Sequence, residues 1–314
     1  EELWKLGVLS KTKHNEVAPS QHEMAPIYTD ANAANDQNQL TMEIMKKVAE
    51  KHGLICLLHE KPFAGVNGSG KHNNWSLATD AGDNLFSPGS TPSQNARFLL
   101  FLAAFIKGVD EYQELLRCSV AFAGNDHRLG AQEAPPAIIS VFLGEELEAI
   151  VDSIVNDHDY TDRKRKSLRI GVDVLPAIPK DTTDRNRTSP VAFTGNKFEF
   201  RSLGSSQSIA GPNTILNTIM AEELEQFAEE LEGVKDFSSA LHELIKRVFT
   251  EHQRILFSGN GYDESWIAEA ERRGLANLHN TAEALPAYIL PKNIQLMTSH
   301  GVYSEAEMMA RHEI

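Results

Sequence analysis

Two glutamates flank a proline-containing turn near the start of the chain, in the segment HNEVAPSQHEMAP. If Pro19 and Ser20 form a two-residue reversal, Glu16 comes directly opposite Glu23. Like charges at paired positions repel each other unless a cation lies between them, and a divalent metal ion is such a cation. For this segment taken alone, two exposed carboxylates remain the simpler interpretation.

A glycine-rich loop, GVNGSGKH, runs from Gly65 to His72 and nearly matches the phosphate-binding pattern G-x-x-x-x-G-K-[ST]. We reject that assignment because the last position is histidine, and because Asn73 and Asn74 are poor residues for starting the required helix. A glycine-rich turn still lets the backbone approach a small anion closely, and an imidazole at its end is a reasonable metal ligand. A lone histidine is more often structural.

Charged and aromatic residues alternate in the segment KFEFRSL, which predicts a strand. The alternation separates two faces: Lys197, Glu199 and Arg201 on one, Phe198 and Phe200 on the other. The charged face is either a surface row of ion pairs or, if the phenylalanines pack on the core, a place for a metal ion beside phosphate oxygens. Arg187, shortly before the strand, adds a guanidinium of the kind that phosphoryl transfer requires.

Apolar periodicity predicts the elements that must position these residues. The predicted helices cover 35–51, 93–117 and 144–155, with a further helical region after residue 214, and a short strand is predicted at 54–58. Six glutamates between positions 222 and 232 are expected on the solvent face of that last region. Strands mixed irregularly with long helices favour an α+β fold.

Composition limits the class of protein. With 314 residues, 41% of them hydrophobic, the chain can form one large or two modest domains. Its net charge of −14 argues against nucleic acid as a partner, and its longest apolar stretch, residues 98–106, is too short to cross a membrane. The chain has 2 cysteines, and Cys56 lies within an apolar run, which favours a reducing, cytoplasmic compartment over disulfides.

Five segments together resemble the glutamine synthetase family, and its type III branch in particular. They are HNEVAPSQHE, HEKPFAGVNGSGKHNNWS, NDHRLGAQEAPPAI, DRNRTSP and GNKFEFR. The resemblance covers most of the chain and implies an α+β catalytic domain with a mainly antiparallel, curved sheet flanked by helices. It implies a core with the metal, ATP and glutamate motifs over residues 1–213, a helical C-terminal part of the same catalytic unit over 214–314, and the absence of the small N-terminal domain.

The resemblance also implies a role for individual residues. The implied metal ligands are Glu16, Glu23, His72 and Glu199. The implied glutamate contacts are Asn67, Gly68, Arg128 and Arg201. The implied ATP contacts are Asn74, Ser76, Lys197 and Arg187. Glu133 is expected to take a proton from ammonium, and Arg187 to stabilise the transferred phosphate.

The implied activity is that of an ATP-dependent glutamate–ammonia ligase that makes glutamine through γ-glutamyl phosphate. It would use glutamate, ammonium, ATP and either Mg²⁺ or Mn²⁺, in a ring-shaped homo-oligomer expected to be a dodecamer, with neither nucleic acid nor membrane as a partner. Other carboxylate–amine ligases and guanidino kinases are the enzymatic alternatives. A catalytically incomplete homologue acting as a regulatory or structural ring subunit is the non-enzymatic one, although all four implied metal positions hold competent ligands.

Three departures from the family pattern limit these expectations. The spacing from Arg128 to Glu133 is one residue shorter than in the commoner branches, and the apolar residues 191–193 stand where a further arginine is expected. The metal-binding glutamates of a preceding strand are not present in the sequence. The chain is therefore expected to carry most of the site, without necessarily being active by itself.

Overall fold

The computed structural model describes residues 1–16, 18–66, 68, 70–130, 134–160 and 189–314, together with the backbone of two short strands between positions 161 and 188. The helices are α1 (Glu2–Lys5), α2 (Ala31–Lys51), α3 (Ala96–Glu111), α4 (Gln113–Cys118), α5 (Ala123–Asp126), α6 (Glu145–Val155), α7 (Ala210–Leu231), α8 (Phe237–His252), α9 (Glu264–Arg272), α10 (Thr281–Ala284), α11 (Pro291–Ser299) and α12 (Glu305–Glu313). The strands are β1 (Ser10–Asn15), β2 (His22–Pro26), β3 (Lys71–Trp75), β4 (Val141–Phe142), β5 (Ser167–Leu168), β6 (Ile178–Pro179), β7 (Val191–Phe193) and β8 (Phe198–Leu203). Within the described ranges, no helix is long and apolar enough to span a bilayer.

The central sheet has four strands in the order β3-β8-β7-β4. Strand β8 pairs antiparallel with both β3 and β7, whereas β4 runs parallel to β7. Strands β1 and β2 form a separate antiparallel hairpin, and β5 and β6 form another two-stranded pair. The α+β class predicted from the sequence is confirmed, with a sheet that is mixed because of its one parallel edge.

The aromatic face of β8 packs against helix α3, as the alternation in KFEFRSL predicted. The Phe198 ring stacks on Phe105 with 3.6 Å between ring centroids. Trp75, on the neighbouring strand, lies 5.7 Å from Phe105 and 5.9 Å from Phe86, and its indole N–H donates to Asn217 at 2.8 Å. Burying each such ring stabilises the fold by about 1.5–3 kcal/mol, so this contact fixes which face of β8 turns towards the site.

The predicted long helix over 93–117 is interrupted at Tyr112, which separates α3 from α4. Gln113 reaches back and donates to the Asp110 carbonyl at 2.9 Å, which satisfies a backbone acceptor at the interruption. Helix α2 begins before the predicted position 35 because Asp30 caps it, accepting from the Ala33 N–H at 3.0 Å.

The strand predicted at 54–58 is wrong. These residues have no regular structure, and Leu54, Ile55 and Leu57 are 66%, 85% and 60% exposed. A strand needs a partner to accept and donate its backbone hydrogen bonds, and among the described residues none pairs with this run. An apolar run of five residues was therefore insufficient to specify a strand.

The expectation that the glutamates of 222–232 all face solvent is also wrong. Glu223, on α7, is fully buried and forms an ion pair with Lys107 of α3. Lys107 also lies 3.1 Å from Glu111. Burial raises the pKa of Glu223 to about 7 although Lys107 attracts the charged form. The helix tolerates a buried carboxylate at this position because α3 supplies the opposite charge.

This raised pKa predicts a pH-dependent stability. The folded form holds the Glu223 proton more tightly than the unfolded form, so stability falls as pH rises from about 4.5 to about 7. The shift corresponds to about 3 kcal/mol. We expect Glu223→Gln to remove that part of the decline in urea unfolding measured between pH 4.5 and 8, while Glu229→Gln, exposed on the same helix, keeps it. If the free energy of unfolding fell equally with pH in the parent and in Glu223→Gln, Glu223 would not be the group responsible for the decline.

Candidate functional site

The β1–β2 hairpin carries the first pair of predicted metal ligands, but in a different register from the one predicted. Pro19 and Ser20 do form the reversal, since the Gln21 N–H donates to the Ala18 carbonyl at 3.1 Å and Ser20 adopts a left-handed φ of 56°. Glu16, however, donates its N–H to Gln21, so Glu16 is not directly opposite Glu23. Val17 lies outside the described residues.

His14 is the residue that lies directly opposite Glu23. Glu16 follows two residues later and so shares the face of His14. The His14 Nε2 atom is 2.7 Å from Glu16 Oε1 and 2.6 Å from Glu23 Oε2. One imidazole nitrogen and two carboxylate oxygens thus lie within 4.8 Å of one another.

The electrostatics of Glu23 connect this hairpin to the central sheet. Burial raises the pKa of the Glu23 carboxyl, and its hydrogen bond to Glu16 and the charge of Glu16 raise it further. The charges of His14 and His72 both lower the pKa of Glu23. Because His72 lies on β3, the hairpin carboxylates and the sheet share one electrostatic environment.

The second pair of predicted metal ligands lies on neighbouring strands of the sheet. His72 is at a register shift of β3, and its Nδ1 is 3.0 Å from Glu199 Oε1 on β8. Both side chains are largely covered, with 26% and 11% of their area exposed. Adjacent ligand atoms around one divalent ion are about 3 Å apart, so His72 Nδ1 and Glu199 Oε1 are placed to share a cation.

The donor atoms fit a divalent cation. Carboxylate oxygens with one or two imidazoles are ligands that Mn²⁺ accepts readily and Mg²⁺ accepts mainly through the oxygens. The repulsion between Glu16 and Glu23 that raises the pKa of Glu23 is the kind of unfavourable energy that a cation between them relieves. The hairpin and the His72–Glu199 pair therefore meet the chemical requirements of metal binding.

The glycine-rich loop packs so closely against the protein that two of its glycines have no room for a side chain. A Cβ on Gly68 would collide with the Glu60 carbonyl, and a Cβ on Gly70 would collide with the Leu203 carbonyl at the end of β8. Lys61 donates to the Gly68 carbonyl at 2.8 Å. The loop is thus held against the end of the strand that carries Glu199.

Arg128, in the loop after α5, attaches that loop to the C-terminal end of β8. Its guanidinium is fully buried and donates to the Asn125 side chain at 3.0 Å, to the Leu203 carbonyl at 3.0 Å and to the Arg201 carbonyl at 2.9 Å. Arg201 is also buried, with 1% of its area exposed. Burial lowers the pKa of Arg128, and the nearby Arg201 contributes to this, while Glu60 opposes it.

Glu60, which is buried, and Lys71, which is partly buried, are further charged residues at this end of the sheet. The Glu60 carboxylate accepts from the Ser205 N–H, and Lys71 donates to the Gln207 carbonyl. Burial lowers the pKa of Lys71 to about 8, although Glu60 favours its charged form. Among the described residues at this end of the sheet, the cationic Arg128, Arg201 and Lys71 outnumber Glu60, which suits an anionic ligand.

The predicted ATP contacts lie further along β3 and at the start of β8. Asn74 is exposed and lies directly opposite Glu199. The Ser76 hydroxyl donates to the Asn196 carbonyl at 2.9 Å, and Lys197 is half-buried in the turn that follows Asn196. These residues lie at the end of β3 and the start of β8, which are neighbouring strands. Their role in binding ATP stays a prediction.

Three predicted site residues, Asn67, Glu133 and Arg187, lie outside the described residues. Two residues of this region were missed in the sequence, His14 and Glu60. The signal for His14 was its position two residues before Glu16, which places both on one face of a strand. Glu60 carried no local signal, because its partner Ser205 is 145 positions away.

Comparison with known proteins gives a consistent result. Residues 1–124 match the sequence profile described as glutamine synthetase, catalytic domain, and residues 240–314 match the profile described as glutamine synthetase C-terminal domain. A type-3 glutamine synthetase of Dictyostelium discoideum is 54% identical over 99% of this chain and 43% of its own length. The glutamine synthetase of Butyrivibrio fibrisolvens is 50% identical over all of this chain and 45% of its own length. The glutamine synthetase of Bacteroides fragilis (strain YCH46) is 47% identical over all of this chain and 44% of its own length.

The chain thus spans less than half the length of the curated relatives it matches. Among solved structures it is similar in fold to GmaS without ligand, with a TM-score of 0.57 at 20% identity over 98% of this chain and 55% of that one. A GmaS/ADP complex gives a TM-score of 0.55 at 20% identity, over 98% of this chain and 56% of the GmaS chain. Because two profiles of one family match, and relatives of that family align along the entire chain at 47% identity or more, the chain belongs to the glutamine synthetase family.

Proposed function

We propose that this chain carries the metal- and substrate-binding part of an ATP-dependent glutamate–ammonia ligase. The observation that supports this most directly is the convergence of the hairpin ligands Glu16 and Glu23 with the His72–Glu199 pair. Family membership supplies the class of reaction, and the buried cations beside the glycine-rich loop suit its anionic substrates.

In this proposal Glu16 and Glu23 hold one divalent cation, Mg²⁺ or Mn²⁺, and His72 and Glu199 hold another. Bound there, the cations neutralise negative charge on the phosphoryl group of ATP. Asn74, Ser76 and Lys197 are proposed to contact the nucleotide, at the edge of the sheet beside Glu199. Arg187 would stabilise the transferred phosphate.

Glutamate is proposed to bind at the glycine-rich loop, against Asn67, Gly68 and Arg201. Arg128 would contact the substrate carboxylate through Nε, which has no hydrogen-bond partner among the described residues. Its other two nitrogens already donate to the protein, so Arg128 also positions the end of β8. Both effects place the substrate carboxylate close to the buried positive charge of this region.

The reaction needs two steps because a carboxylate is a poor acyl donor. An oxygen of the glutamate side chain attacks the γ-phosphorus of ATP, the bond to the bridging oxygen breaks, and ADP leaves with its electron pair. Ammonia then attacks the acyl carbon of γ-glutamyl phosphate, and inorganic phosphate leaves. Glu133 is proposed to accept the proton that ammonium must lose before it can attack.

The proposal predicts a glutamate-dependent reaction with hydroxylamine in place of ammonia. With ATP and Mn²⁺, the ligase that contains this chain is expected to form γ-glutamyl hydroxamate and ADP in equal amounts, and neither without glutamate. Glu199→Gln should lower the rate at least about a hundredfold, because it removes a charge next to the transferred phosphate, whereas Glu43→Gln on the exposed face of α2 should not. ADP release that is independent of glutamate, or that requires another acceptor, would contradict the proposal.

A further inference from the structure

His14 occupies a place in the hairpin where a structural histidine is not required. It lies on a two-stranded ladder that is largely exposed to solvent, and 50% of its side chain is accessible. His22, on the partner strand, is paired with Asn15 and is also exposed. Because His22 and Glu23 are consecutive in a strand, their side chains point to opposite faces, so of these two hairpin histidines it is His14 that faces the carboxylates.

The geometry around His14 is that of three ligands facing a common point. A single atom, Nε2, lies 2.7 Å from Glu16 Oε1 and 2.6 Å from Glu23 Oε2. In an octahedral site with bonds of about 2.1 Å, adjacent ligand atoms are about 3 Å apart. The three side chains therefore need to separate by only a few tenths of an ångström to accept a cation between them.

The surroundings of His14 favour cation binding over a purely structural ion pair. Among the described residues, the charged and titratable groups that face it are Glu16 of its own strand and Glu23 of the partner strand, and His72 of the central sheet acts on Glu23. Two carboxylates shared by one half-exposed imidazole give a surface ion pair worth at most about 1 kcal/mol. Stability alone therefore gives little reason for the arrangement.

We propose that His14 is a ligand of the metal ion held by Glu16 and Glu23, contributing Nε2 as a nitrogen donor. The inference rests on the proposed function and adds the chemical character of that metal site. A nitrogen ligand improves binding of Mn²⁺, Co²⁺ and Zn²⁺ more than binding of Mg²⁺, which prefers oxygen ligands and retains its waters. His14 thereby makes the site selective for transition-metal ions.

The test compares metal binding by the parent, His14→Ala, His14→Gln and the control His22→Ala. Calorimetric titrations with Mn²⁺, Co²⁺ and Mg²⁺ give the dissociation constants, and circular dichroism without metal checks the fold of each variant. We expect both His14 variants to bind Mn²⁺ and Co²⁺ at least about tenfold more weakly, and Mg²⁺ less than about threefold more weakly. His22→Ala is expected to match the parent.

A second measurement shows whether histidine nitrogen coordinates the bound Mn²⁺. Electron spin-echo spectra of bound Mn²⁺ contain modulation from directly coordinated ¹⁴N, and we expect His72→Ala to retain part of it and His14→Ala with His72→Ala to lose it. Parent-like or tighter Mn²⁺ binding by folded His14→Ala would overturn the inference, since His14 would then be a counter-ion that competes with the metal. That result leaves the proposed function intact, whereas a parent that binds no divalent cation overturns both.

Discussion

A variant with both Glu16→Gln and Glu23→Gln is expected to lose one of the two divalent cations that we propose this chain binds. Glutamine keeps the size and polarity of glutamate but removes two negative charges from a site where the ligand atoms lie within 4.8 Å of one another. Each single change should weaken Mn²⁺ binding at this site by at least about tenfold, and the double change by about a hundredfold or more.

Calorimetry measures this loss as a fall in stoichiometry as well as in affinity. The site formed by His72 and Glu199 lies on the central sheet and should still bind one ion in the double variant. Glu43→Gln is the matched control, because Glu43 is an exposed carboxylate on α2 that forms an ion pair with Lys47 of the same helix. If the double variant takes up as many ions as tightly as the parent, the assignment of the hairpin to metal binding is wrong.

Arg128→Met is expected to be strongly destabilising, by about 3–5 kcal/mol. The buried guanidinium donates to Asn125 and to the backbone carbonyls of Arg201 and Leu203, and methionine would leave all three acceptors without that donor. The end of β8 would then lose its attachment to the loop that begins after α5. Urea unfolding followed by circular dichroism measures the free energy directly.

Two further variants separate the hydrogen bonds of Arg128 from its general effect on solubility or charge. Arg128→Lys keeps the charge but cannot reproduce the forked geometry, so an intermediate loss is expected. Arg97→Met removes an exposed arginine from α3 and should change stability by less than about 0.5 kcal/mol. If Arg128→Met and Arg97→Met had the same urea midpoint of unfolding, the buried contacts of Arg128 would contribute nothing to stability.

The hairpin shows how a wrong register still predicted which carboxylates lie close together. The ladder pairs His14, not Glu16, with Glu23, a displacement of two residues from the predicted pairing. Side chains alternate with a period of two along a strand, so a displacement of two leaves every side chain on its predicted face. The sequence therefore predicted which carboxylates meet, whereas the turn geometry that places His14 between them could not be deduced.

Local patterns predicted the fold where one face of an element packs against a core. The alternation in KFEFRSL placed Phe198 and Phe200 correctly, because burying two rings outweighs any local preference. The run at 54–58 lacks that constraint in the described structure, and its apolar composition misled the prediction. The partners of Glu60 and Arg128 were beyond local analysis, since they lie 145 and 73 to 75 positions away in the sequence.

The packing of Trp75 gives the candidate site an intrinsic optical probe. Trp4 is 59% exposed, while Trp75 and Trp266 are 5% and 2% exposed, so the emission of the two buried indoles is expected at shorter wavelength. Trp266 lies elsewhere, stacked on Phe257, and can be replaced by phenylalanine to isolate the signal. Trp75 is on the same strand as His72 and Asn74, and its fluorescence therefore reports movements of the strand that carries them.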